Sequence, residues 1–167
     1  MKTFLLLWCI AFSGTCFSQN VQKTQLQHLI DDSEVFFIES KGGVERISGE
    51  DTSYASKVRL NGKQNGSISF RSGKTKWAVY SGYLLESASL KDAKKEALLW
   101  REIIRSVATS YTEEVKQGSD KNIHGNPQHE YSFTKVEAGR KSWINVLYAK
   151  DKKAYYVYLS IGWQDWL

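Results

Sequence analysis

Three histidines, His28, His124 and His129, are the side chains of this chain best suited to proton transfer or metal ligation. A helical zinc pair takes His at i and i+4 with a third ligand held nearby. His124 and His129 are five apart, with Asp120 upstream, in a polar stretch that reads as loop. The spacing describes solvated loop residues better than a metal site. A hydrolase with its site in the 117–128 segment stands as one alternative reading. Nucleophilic catalysis would need a nucleophile, a base and a group to orient the base. No Gly-x-Ser-x-Gly elbow is present, and Ser81, Ser89 and Ser119 read as strand, cap and loop residues. Gly42-Gly43 opens a hairpin rather than a phosphate-cradling helix. The acid pairs Glu50-Asp51 and Glu113-Glu114 are sequence neighbours, which do not share one helix face. On these residue types no catalytic residue, metal ligand or cofactor is assigned, and the protein reads as a non-enzyme.

Aromatic residues are the compositional excess. From Gln19 onward there are five Trp, nine Tyr and four Phe. Trp77 and Trp100 read as core. Tyr156 and Tyr158 alternate against Val157 and Leu159, and with Trp143 they would pave an exposed sheet face. Trp163 and Trp166 close an apolar chain end, where residues are ordinarily polar and frayed. Tyr and Trp supply large contact area at low entropic cost. Trp143, Tyr156, Tyr158, Trp163 and Trp166 are therefore the candidate binding residues. The expected partner is a protein, a peptide or a glycan at the cell envelope. A chaperone- or inhibitor-like protein pairing through a strand edge is the other alternative.

The address comes from the first 18 residues, MKTFLLLWCIAFSGTCFS. Lys2 supplies a positive start, and Phe4 to Phe12 an apolar run too short to span a membrane. Cys16 and Ser18 place small residues before a cut at Gln19. The segment reads as a secretory signal peptide, with periplasmic or extracellular delivery. A lipoprotein signal does not fit, since Cys9 follows Trp8 and Cys16 lacks the upstream apolar residue. Cleavage would remove both cysteines, and with them thiol chemistry and disulfides. The formal net charge of +5 would become +4 without Lys2. Basic and acidic residues are interspersed, as in Lys91-Asp92 and Arg101-Glu102, which describes a solvated surface rather than a nucleic-acid footprint.

The elements that would position these residues follow from periodicity. Val21–Asp31 predicts a short amphipathic helix. Strand signals follow at Glu34–Glu39, Val44–Ile47, Tyr54–Leu60, Ser67–Arg71 and Lys76–Leu85, with tight turns at Asn61-Gly62 and Asn65-Gly66. Apolar residues on both parities around Trp77 predict a strand covered on both sides. Leu90, Ala93, Ala97, Trp100, Ile104, Val107 or Ala108, Tyr111 and Val115 form one helical stripe. They predict a single long helix from about 90 to 116, capped by Ser89 and stopped by Gly118. Gln128–Val136, Trp143–Ala149 and Ala154–Ile161 predict a closing three-stranded meander. No internal repeat is visible.

Together these predict one α+β domain over 19–167. It would be a twisted antiparallel sheet with one long helix on a face, a short N-terminal helix and a C-terminal meander. The layout resembles small exported proteins of Bacteroidetes-type bacteria. That resemblance rests on Cys16-Phe17-Ser18 before Gln19, the helix beginning at Leu90, Trp143-Ile144-Asn145-Val146 and Tyr155-Tyr156-Val157-Tyr158-Leu159. It implies export and assigns no residue a role.

Overall fold

The computed structural model describes residues 3–60, 66–73, 75–122 and 125–165. Two helices, α1 (Thr3–Glu34) and α2 (Leu90–Val107), accompany eight strands. These are β1 (Lys41–Ser48), β2 (Asp51–Ser56), β3 (Ser67–Arg71) and β4 (Trp77–Ser87), then β5 (Thr112–Lys121), β6 (Pro127–Glu137), β7 (Arg140–Asp151) and β8 (Ala154–Asp165). All eight join one antiparallel sheet in the order β1-β2-β3-β4-β8-β7-β6-β5. The α+β expectation is thereby corrected: the domain is mostly β.

The main departure lies in α2. Its start is as the sequence predicts, with the Ser89 hydroxyl accepting from the Asp92 amide at 3.3 Å. Its end comes nine residues early. Ala108 caps it, and Thr109-Ser110 follow, residue types whose side chains compete for the helical backbone. Residues Thr112–Gln117 and Asp120–Lys121 then pair with β6. Glu113 fixes the corner. Its carboxylate accepts from Arg101 Nε at 2.5 Å and from Arg105 Nη2 at 2.6 Å. Burial raises the Glu113 pKa, but these two guanidiniums outweigh it and hold the carboxyl below its usual range. Gly118, expected to end a helix, instead takes φ +68° at a register irregularity between Gln117 and Asp120. The 117–128 segment is accordingly not one loop: Lys121 ends β5 and Pro127 begins β6.

Glu34–Glu39, predicted as strand, is instead the end of α1 followed by a turn. Asp32 closes it by accepting from the Glu39 amide at 3.1 Å and the Ser40 amide at 2.7 Å. Phe36 and Phe37 take φ of 67° and 53°, a region that aromatic residues rarely visit. Their rings offset that strain: Phe37 is fully buried, and Phe36 meets Trp163 edge-on at 4.8 Å. The helix expected over Val21–Asp31 is the C-terminal part of the longer α1. The turns predicted at Asn61-Gly62 and Asn65 lie outside the described residues.

The core forms where both helices lie on one face of the sheet. Leu26 and Leu29 of α1 and Ala93, Ala97, Trp100 and Ile104 of α2 are fully buried. They meet Tyr80, Ile144, Val146, Val157, Leu159 and Ile161 from the central strands. The topology repeats itself, a helix followed by a four-stranded meander, twice. The central β4/β8 pair relates the halves by an approximate two-fold near Ser81 and Ser160, which are partners. α2 carries the chain from β4 at the centre to β5 at the far edge. Its 18 residues reach about 27 Å, enough for four interstrand steps totalling about 19 Å.

Candidate functional site

Strand alternation divides every central strand into a covered and an open side. On β8, Tyr155, Val157, Leu159, Ile161 and Trp163 face the helices, whereas Tyr156, Tyr158, Ser160, Gly162 and Gln164 face away. Among the described residues no helix lies on that second face. β4 was expected to be covered on both sides. It is central, but its open side carries Trp77, Val79, Ser81 and Tyr83, and Tyr83 is 51% exposed.

Register brings residues far apart in sequence into rows across this open face. One row runs Ser67, Ser81, Ser160, Asn145, Ser132 over β3, β4, β8, β7 and β6. The row beside it runs Ser69, Val79, Gly162, Trp143, Thr134. On the other side come Tyr83, Tyr158, Leu147 and Glu130. Hydroxyls and amides within the surface bond each other. Ser132 Oγ donates to Asn145 Oδ1 at 2.8 Å, and the Ser53 and Ser69 hydroxyls lie 3.0 Å apart.

The candidate residues separate cleanly. Tyr156 and Tyr158 converge with Tyr83, whose ring centroid lies 5.5 Å from the first and 5.3 Å from the second. Burial raises the Tyr158 phenol above its usual pKa, partly offset by a hydrogen bond with Ser81. Burial and the neighbouring Glu86 and Asp151 carboxylates raise that of Tyr156. Both are neutral hydroxyls at physiological pH. Trp143 lies on the same face over Gly162, whose added Cβ would come within 2.7 Å of Trp143 Cζ2. Trp163 is on the opposite, covered side, 1% exposed, with Arg140 over its ring at 4.4 Å. Trp166 lies outside the described residues.

A recess of about 480 Å³ opens beside the tyrosines. Tyr83, Tyr156 and Tyr158 form its aromatic side, Leu147 and Ala149 on β7 its apolar middle, and Gln128, Asn122, Lys121 and Asp151 its polar side, one base offset by one acid. Such a volume falls within the range of about 300–1,000 Å³ usual for small-molecule sites. An apolar floor with a few polar groups can hold a ring against an aromatic face and fix its orientation through hydroxyls and amides.

His129 stacks on Tyr148 at 4.7 Å, on the helix side of β6. His124 lies outside the described residues. Among the described residues no three His, Cys, Asp or Glu side chains converge as a metal site requires. Nor is any helix among them long and apolar enough to cross a membrane. No family model, no curated protein and no solved structure matches the chain.

Proposed function

We propose that this protein is an exported, non-catalytic binding module that holds its ligand on the helix-free face of the sheet. One observation carries the reading. Tyr83, Tyr156 and Tyr158 cluster beside an open recess on a face where a core-forming sheet would bury such rings. Their partner is an envelope component, protein, peptide or glycan, met after export. The first 18 residues supply that export signal.

Retention on isolated cell envelopes tests the surface. The double variant Tyr83→Ser with Tyr156→Ser should lose about tenfold or more in retention. Its far-UV circular dichroism should be that of the unaltered protein. Equal retention of the folded variant would reject the open face as the binding surface. Export has its own readout. Protein recovered outside the cytoplasm should have the mass of a chain beginning at Gln19, and a full-length chain held in the cytoplasm would reject the signal.

A further inference from the structure

We infer that the open face is a track for a neutral, linear glycan lying across the strands. This deepens the proposed function and rests on its reading of the face as a binding surface. The row Ser67, Ser81, Ser160, Asn145, Ser132 crosses five strands in register. Ser132 is buried and bonded to Asn145, so the accessible line of small hydroxyl and amide groups runs from Ser67 to Asn145, about 14 Å at ordinary strand spacing, the length of a short oligosaccharide. Aromatic rings flank it on both sides. Tyr83, Tyr156 and Tyr158 stand along one border. Trp143 stands along the other, half-buried, with its indole over Gly162. Small residues between rings make a trough rather than a plane.

The chemistry of the trough selects its occupant. Neither this row nor the row through Val79 and Trp143 contains an acid or a base from β3 to β6. The chain as a whole is 25% charged. A polyanion, such as nucleic acid or an acidic lipid surface, finds no counter-charge along it. An extended peptide is taken up at a sheet edge, where backbone groups are unpaired; on this face the ladders have already paired them. Protein interfaces are depleted in Ser, the commonest residue of the track. A pyranose chain matches on both counts. Its C–H faces stack on Tyr and Trp, and its hydroxyls both donate to and accept from Ser and Asn.

The test is calorimetric titration of the whole exported chain with neutral oligosaccharide ladders from two to six sugars. Cello-, malto- and chito-oligosaccharides serve as probes, with oligogalacturonate and an unstructured peptide as comparisons. Affinity for one neutral series should rise about tenfold or more from disaccharide to hexasaccharide as successive rings engage. Trp143→Ala and, independently, the well-exposed Tyr83→Ala should each weaken hexasaccharide binding about tenfold. Failure of all three neutral series at millimolar concentration overturns the glycan assignment. So does tighter binding of oligogalacturonate or of the peptide. Envelope retention that still depends on Tyr83 and Tyr156 would then show the binding surface correct and its ligand misassigned. Loss of both would reject the surface itself.

Discussion

Replacing Trp100 by Ala should cost about 3–5 kcal/mol of folding stability, against a total of roughly 5–15 kcal/mol for a domain of ordinary stability. Trp100 is fully buried on α2, among the largest side chains of the core. Its indole Nε1 donates to Glu96 Oε1 at 3.0 Å, so its polar end is satisfied on its own helix while its ring fills the space between helix and sheet. Truncation removes the apolar contacts and leaves a cavity that α2, tied at Glu113 by two arginines, can collapse only in part. Tyr83→Ala is the matching substitution on the other face. With 51% of its surface already exposed, its loss should cost about 1 kcal/mol or less. Urea unfolding followed by far-UV circular dichroism measures both. Equal losses at the two positions would mean that both faces are covered, and the open surface would not exist.

That contrast rests on a face assignment which the sequence contains only locally. Tyr156 and Tyr158 opposing Val157 and Leu159 is a two-residue alternation within one strand, and strand alternation survives folding unchanged. The same parity places Trp163 with Val157, Leu159 and Ile161, on the covered side. Its position near an apolar chain end drew it into the candidate site, although the alternation already contained the contrary signal. Tyr83 was missed for a different reason. Apolar residues on both parities of β4 describe a doubly covered strand equally well as a strand with an aromatic binding face. Only the absence of a second layer separates the two.

Longer-range features were illegible for a common physical reason. The stripe from Leu90 continues through Ala108, Tyr111 and Val115 at helical spacing, and Glu113, Glu114, Lys116 and Gln117 are good helix formers. Locally only Thr109-Ser110 weighs against a helix to residue 116, and two such residues rarely end one by themselves. Pairing with β6 and the Arg101 and Arg105 contacts to Glu113 decide it, and each depends on tertiary placement. The turn at 35–40 is similar, since Val35 to Ile38 favour a strand until Asp32 and the buried Phe37 ring impose left-handed backbone. The serine row is the extreme case. It depends on the register of β4 with β8, strands separated by α2 and three further strands, and isolated serines at 67, 81, 132 and 160 carry no periodic signal.

Gly162→Val should destabilise the fold by roughly 1–3 kcal/mol and dismantle part of the binding face at the same time. Gly162 lies between Val79 and Trp143, at the centre of the sheet. A Cβ there would come within 2.7 Å of Trp143 Cζ2 and 2.9 Å of the Ala78 carbonyl oxygen. The indole can swing away, but the carbonyl belongs to the β4/β8 ladder and can yield only by distorting it. The variant should therefore show a lowered urea midpoint together with changed tryptophan fluorescence as Trp143 leaves its seat. Gly43→Ala is the comparison: a Cβ at Gly43, on the edge strand β1, meets nothing within 4 Å. Its stability should change by less than about 1 kcal/mol, with no change in fluorescence. A destabilisation of Gly162→Val without the fluorescence change would place the clash on Ala78 alone. Trp143 would then owe its position to something other than the bare glycine beneath it.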